Sequence, residues 1–442
     1  MFDLYTRCCA ALKVCAILLC LLTSSIALAD LTKLNTDTSF HSVYLYQTES
    51  PLITVRLTIL AGEVDVEGPE GLSHYLEHLM YWHADNVDDQ QIHARGGNAS
   101  VNGILTNYYN QGESTELQDM LEFVRRLYKK PTLPINFMTK ERSVVEREYD
   151  VRVSENPVAR VYINERRKLY NNLPVSRSTI GAPKSIQSLT IEQGTQFHEK
   201  FYHPANSVLF ISGDFSKAQA KELIEQSFDF AEPGLQHKAG WRNARLQDKA
   251  DSVTEYENAQ INNDILIYLT LSPWPKTQMP LNNWYTLTLL RSILDSALDG
   301  GIAKPLRMDN FTLRSFSIDL NSTLSDYFEL TMFAEPDKGV TLQQASDAVQ
   351  STLTSLAESG IPPATFERVK KRTLQTSKRQ SGIMEQTHNR MYDQLSAGLE
   401  PATAEQHLKH IEAVNLKDIN SLLRALAKPQ RRAVAFAKPI GE

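Results

Sequence analysis

At 442 residues the chain is long enough for two or three domains. With 42% apolar and 22% charged residues its composition is that of an ordinary globular protein, which excludes a wholly disordered or fibrous chain. The formal net charge is −6, and Lys and Arg are interspersed among Asp and Glu with no basic stripe or tail, so nucleic acid is excluded as a partner of choice.

The first thirty residues read as a secretory signal. Arg7 and Lys13 supply the positive flank, Val14 to Leu22 (VCAILLCLL) the apolar core, and Ala27-Leu28-Ala29 the small residues that signal peptidase requires. The pattern predicts residues 1–29 as a signal peptide, cleavage after Ala29 and export to the periplasm. The apolar run is short for a membrane span, and no later run approaches that length, so no stable span is expected in the mature chain. Cys8, Cys9, Cys15 and Cys20 are the only cysteines, and all four fall inside this segment. A mature chain without cysteine has no disulfides and no thiolate metal site; any metal must use histidine and carboxylate.

Farther along, Leu52–Leu60 (LITVRLTIL) and Ser207–Ser212 (SVLFIS) read as strands that open and close a first unit. Between them lie helical patterns over Glu116–Tyr128, Asn136–Val153 and Ile191–Phe201. The polar stretch Glu232–Glu257, with Pro233, Gly234 and Gly240, reads as a connection. A second unit repeats the plan: strands at Asp264–Leu271 and Ala433–Ala437, helices over Pro280–Leu298, Leu342–Ser359 and Pro363–Arg379. The expectation is an α+β fold of two similar domains, 30–235 and 258–442, joined by a linker over 236–257.

The chemistry concentrates at Gly71-Leu-Ser-His74-Tyr-Leu-Glu77-His78-Leu-Met. On a helix, His74 and His78 stand one turn apart on one face and can share an ion, while Glu77 borders that face and can reach a water held there. This H-x-x-E-H order inverts the commoner H-E-x-x-H arrangement and keeps its geometry of two ligands and one base. A third protein ligand is needed. The segment Glu141-Arg-Ser-Val-Val-Glu146-Arg-Glu148-Tyr-Asp150 offers Glu141 and Glu148, seven apart and so two turns along one face. Glu148 is taken as the ligand and Glu141 as the carboxylate that orients the site. An acidic run of this kind is often only a solvated helix face; its position relative to the histidine helix is what makes it informative.

These residues closely resemble the pitrilysin or insulinase family, which includes the mitochondrial processing peptidases. Gly96-Gly97-Asn98-Ala99 resembles the family's segment in which an edge strand holds the substrate backbone, and Glu141–Glu148 matches its downstream acidic helix, again picking Glu148. Phe201-Tyr-His-Pro-Ala-Asn206 through Asp214 is similar to the segment that closes the family's first domain. In the second half the resemblance weakens. The family's substrate-binding pair is an Arg followed seven residues later by Tyr; here Arg307 is followed by Arg314.

The resemblance implies a zinc endopeptidase with Zn2+ on His74, His78 and Glu148, Glu77 as base, Glu141 in support, and peptide held by Asn98, Ala99 and Arg307. It implies that each pair of α+β domains, with mainly antiparallel sheets, forms one half of a clamshell. At this length the chain would supply one half, and a second family subunit the other. The missing Tyr favours a heterodimer with a partner lacking the zinc motif over a homodimer. The competing reading is a peptide-binding or partner subunit that keeps the fold without catalysis; such subunits usually lose one of the four zinc-site residues, and all four stand here.

Overall fold

The computed structural model describes residues 31–85, 96–229, 240–246, 248–275 and 280–440. The expected signal peptide and part of the expected linker (236–239 and 247) lie outside the described residues. Among the described residues, eleven strands form two sheets. The first contains β1 (Leu31–Leu34), β2 (Ser42–Gln47), β3 (Leu52–Ile59), β4 (Asn98–Val101), β5 (Thr106–Glu113) and β6 (Ser207–Gly213) in the order β1-β2-β6-β3-β5-β4. The second contains β7 (Ala250–Glu257), β8 (Ile265–Pro273), β9 (Leu313–Asn321), β10 (Tyr327–Pro336) and β11 (Arg431–Lys438) in the order β7-β11-β8-β10-β9.

The helices of the first domain are α1 (Leu72–Asp85), α2 (Leu117–Leu127), α3 (Ile135–Tyr149), α4 (Pro157–Leu169), α5 (Pro183–Gln187), α6 (Ile191–Phe201) and α7 (Lys217–Ser227). Those of the second are α8 (Pro280–Leu294), α9 (Leu342–Ser359), α10 (Pro363–Gln380), α11 (Met384–Ser396), α12 (Ala404–Ala413) and α13 (Leu416–Ala427).

The two sheets share one plan. In each, a parallel pair (β2 with β6; β7 with β11) continues through three antiparallel neighbours (β6-β3-β5-β4; β11-β8-β10-β9). By order and pairing, β4 corresponds to β9. The helix after the central strand, α1, corresponds to α8, and the second helix after the hairpin, α3, corresponds to α10. The fold is α+β with two related domains, as the strand–helix alternation predicts.

Each domain lends a helix to the other. Val161 and Leu169 of α4, with Tyr170 just beyond it, pack on Ile267, Leu269 and Leu271 of β8. Met391 and Leu395 of α11 pack on Tyr44, Tyr46, Val208 and Phe210 of the first sheet. Each large apolar side chain so buried contributes about 1.5–3 kcal/mol, enough in sum to hold the domains together without a rigid connection. The exchange also explains β6. Leu209 and Ile211 face the first-domain helices while Val208 and Phe210 face α11, so both faces are covered and every residue is buried.

Three expectations are corrected. The linker assigned to 236–257 gives up its last eight residues to β7, which pairs in parallel with β11. As an edge strand with alternating exposure, ADSVTEYE carries charges on its open face and so reads as a polar connection. The first sheet likewise begins before Leu52, at β1 and β2. The helix expected through Val153 loses its α-helical form after Tyr149 and continues as a π-helical turn over Asp150–Ser154. Among the described residues no helix is long and apolar enough to cross a membrane.

Candidate metal centre

Helix α1 starts where the chain turns at Gly71, whose φ of +91° lies in the region that side chains disfavour. A Cβ there would sit 2.9 Å from the Ile180 carbonyl oxygen. The helix N-terminus is held by Glu63, a fully buried residue: the Gly71 N–H donates to its Oε1 at 3.1 Å and the Ser73 hydroxyl to its Oε2 at 2.6 Å. Arg177 Nη2 stands 3.4 Å from the same carboxylate. Burial pushes the Glu63 carboxyl up to about 8, against the pull of Ser73, Arg177 and Gly71.

Leu72, Tyr75, Leu76, Leu79 and Met80 turn one face of α1 into the core, which leaves His74, Glu77 and His78 toward α3. The Tyr75 hydroxyl donates to the Met138 carbonyl at 2.8 Å and fastens the two helices together. Across that seam Glu148 comes between the imidazoles. His74 Nε2 is 3.6 Å from Glu148 Oε2, and His78 Nε2 is 3.7 Å from Glu148 Oε1. The ligand atoms of the three residues all lie within 4.8 Å of one another. The rings are nearly perpendicular, at 89°.

His78 Nδ1 lies 3.1 Å from Glu141 Oε2. An N–H donated there leaves the Nε2 lone pair free toward Glu148. Burial opposes the charged form of His78, but the Glu141 hydrogen bond with Glu77 and Glu148 outweighs it and raises the imidazole above its usual value. His74 is different: burial, with His78 and Arg152 adding to it, lowers it to about 3, so it is neutral at physiological pH. Glu77, 3.9 Å from His74 Nε2, is pushed up to about 7 chiefly by burial. Arg152 Nη2, one turn beyond α3, stands 3.0 Å from Glu148 Oε2.

This cluster fits a tetrahedral zinc. Nitrogen and oxygen ligands about 2.0–2.1 Å from a common centre stand roughly 3.4 Å apart, close to the 3.6 and 3.7 Å separations here. These gaps are too long for hydrogen bonds, so no shared proton accounts for the convergence. Three protein ligands leave a position open, the pattern of catalytic rather than structural sites.

The other expected site residues lie on different elements. Asn98 and Ala99 are in β4, which contacts α1 and pairs only with β5, so its far edge is open among the described residues. Gly97 permits that approach, since a Cβ would lie 2.5 Å from the Tyr81 hydroxyl of α1. The Asn98 side chain accepts the Ala99 N–H at 2.9 Å, so this edge donor is already engaged. Arg307 is exposed on a π-helical turn, Lys304–Asp309, of the second domain and is not part of the cluster. Arg314, where the family pattern has Tyr, pairs with Glu335 of β10 at 2.5 Å. Sequence reasoning missed Glu63 and Arg152. An isolated Glu eleven residues before His74 carries no spacing signal, and its role depends on the turn that brings it back.

Family models decide the kinship: residues 42–183 match Insulinase (Peptidase family M16) and residues 188–373 match the Peptidase M16 inactive domain, together most of the chain. The chain belongs to the insulinase, or M16, peptidase family. His74, Glu77, His78 and Glu148 all fall in the first of these matches. Zinc protease PqqE of Helicobacter pylori is 27% identical over 168 residues, 37% of this chain and 38% of that protein, so the match spans well under half of this relative. The crystal structure of a protease from Helicobacter pylori superposes with a TM-score of 0.77 at 18% identity, covering 93% of this chain and 100% of that one. The first half of the periplasmic protease PqqL from Escherichia coli superposes with a TM-score of 0.73 at 16% identity, covering 92% of each. Set against the complete PqqL, the same match spans 47% of that chain. The half-clamshell fold of M16 proteins is therefore the fold of this chain, and zinc is its cofactor.

Proposed function

We propose that this M16 chain is a zinc-dependent endopeptidase acting on short or unfolded peptides, with His74, His78 and Glu148 holding the metal and Glu77 as general base. The observation that carries this reading is the approach of Glu148 to both Nε2 atoms from a helix some seventy positions away, with no hydrogen bond to explain it. Zinc, when bound, supplies the Lewis acidity that polarises a carbonyl oxygen and acidifies a water.

The chain's own groups do the rest. Glu77, held up to about 7, takes a proton from the attacking water and returns it to the departing amine nitrogen. Glu141 fixes the His78 ring by the contact to Nδ1. Peptide backbone adds to the open edge of β4 beside Asn98 and Ala99, displacing the Asn98 side chain from the Ala99 N–H; main-chain pairing of this kind tolerates varied side chains. Arg307, exposed and with no ion-pair partner among the described residues, is available to a substrate or a second subunit.

The first domain runs over 30–235, and the second takes in β7 as well as 258–442, so that it begins at Ala250. The periplasm is the proposed compartment, supported by the export signal in the sequence and by the periplasmic PqqL. A second half-clamshell, from a related subunit without the zinc motif, closes the chamber and admits only peptides that fit inside. The test is Glu77→Gln. It should bind zinc as the natural chain does and fail to cut a quenched peptide mixture; normal turnover by this variant would refute the base, and no turnover by the natural, zinc-loaded chain would leave a non-catalytic peptide-binding subunit.

A further inference from the structure

The internal correspondence of the two domains has a consequence for the second. Where the first domain places the metal cluster between α1 and α3, the second has a cavity of about 1480 Å³ along the corresponding helices α8 and α10, with α11 and the end of β9 completing it. The helix that corresponds to the carboxylate-bearing helix of the first domain is strongly basic here. Arg368, Lys371 and Arg372 follow one another at helical spacing along the cavity face of α10. All three are exposed, and none has an ion-pair partner among the described residues. Arg390 of α11 adds a fourth cation to the wall.

The acidic lining does not cancel them. Arg291 of α8 pairs with Asp319 at 3.1 Å, and Asp393 stands beside that pair, where burial and Asp319 raise its carboxyl against the pull of Arg291. Asp295 and Asp393 are the remaining carboxylates, against four cations outside that pair. The walls also hold a closed polar floor. Tyr285 of α8 accepts from Gln394 Nε2 at 3.0 Å and meets His407 Nδ1 at 3.2 Å, while His407 Nε2 meets Ser377 of α10 at 3.2 Å. Partners satisfied in this way make a rigid wall rather than a second reactive centre.

The cavity is continuous with the proposed peptide track. Asn102 and Ile104, in the turn that follows β4, line it. Asn102 Oδ1 accepts the N–H groups of Ile104 and Leu105 at 2.7 and 2.8 Å, which fixes that turn. A peptide lying along β4 leaves the strand at Val101 and enters the cavity. The volume exceeds the ~300–1,000 Å³ usual for small ligands, which suits a chain segment rather than a metabolite.

We propose that this cavity receives an acidic segment of the peptide bound along β4, and so selects substrates with Asp or Glu at a distance from the cut bond. The identity of the occupant rests on the peptidase reading; the cationic site itself does not. The experiment measures binding by fluorescence anisotropy in full-length Glu77→Gln, which holds peptide without cutting it. One neutral core is compared with the same core carrying four Glu on its N-terminal or its C-terminal side. One of the acidic peptides should bind about tenfold more tightly than the core, the sum of a few exposed ion pairs. Arg368→Glu with Arg372→Glu should bring that ratio to one or below, and Arg368→Gln with Arg372→Gln should reduce it. Lys417→Glu with Arg424→Glu, exposed on α13 and outside the cavity lining, should keep it. Equal binding of all three peptides, or equal loss of preference in the Lys417/Arg424 pair, overturns the proposal. Failure of the natural chain to cut the neutral core refutes the peptidase reading separately, while acidic preference in Glu77→Gln would still stand.

Discussion

Glu141 Oε2 lies 3.1 Å from Nδ1 of His78 and is itself almost completely buried. One carboxylate thus determines which nitrogen of His78 faces Glu148. Glu141→Ala should lower zinc affinity by about 10–100-fold while leaving the helix pair folded, because the ring loses its orientation and its basicity together. Competition against a chromogenic chelator reads this directly; an unchanged affinity would show that the ring is held by packing alone.

Glu148→Gln removes the carboxylate that stands between the two imidazoles. Zinc content, measured by mass spectrometry of metals after gel filtration, should drop far below one per chain, and turnover should drop with it. Metal-free natural protein and metal-free variant should melt at the same temperature within a degree or two, since Glu148 is partly exposed and contributes through the ion. A chelator such as phenanthroline should abolish turnover of the natural chain, and added zinc should restore it.

Activity should follow the state of Glu77. Burial holds this carboxyl up to about 7, with Glu148 adding to the rise and His78 and Arg152 opposing it. A base must be ionised to act, and a bound zinc lowers this carboxyl from its metal-free value, so kcat/KM should rise with pH on the acid side of about 7 and level off above it. A profile flat between pH 5 and 8 would show that another group takes the proton.

Glu63 makes a different pH dependence. Its carboxyl is raised from 4.5 to about 8 by burial, so between those values the folded protein binds a proton that the unfolded chain has released. Stability of the metal-free protein should therefore fall as pH climbs from about 4.5 to about 8, by an amount on the order of a few kcal/mol. Glu63→Gln, neutral throughout, should flatten that slope in urea titrations at pH 5 and pH 8. An unaltered slope would place the titration elsewhere.

At Gly71 the φ of +91° and the Ile180 carbonyl 2.9 Å from any Cβ act together. Gly71→Ala should cost about 1–3 kcal/mol in denaturant unfolding, and it should weaken zinc binding because His74 stands three residues on.

Much of this was legible before any coordinates. His74, Glu77 and His78 carry their geometry in their spacing, since helical periodicity is local. Glu148 was legible only through its place on a second helical pattern and through the family resemblance. β3, β6, β8 and β11 could be read because their apolar runs are buried on both faces. β7 could not, since an edge strand with one wet face looks like a loop. Nor could the part of Glu63, whose partners Gly71 and Ser73 come within reach only after the turn at Val66–Glu70 has formed.

The sequence by itself determined the donor set: two imidazoles and carboxylates, with no cysteine beyond position 20, at spacings that only a helix makes useful. Tertiary structure alone decided that Glu148 stands 3.6 and 3.7 Å from the two imidazoles while Arg307 does not join them. It also decided that the corresponding cleft of the second domain is cationic and opens at the end of β4. The reason is that helical spacing is a property of neighbouring residues, whereas the approach of two helices depends on the packing of every apolar side chain between them.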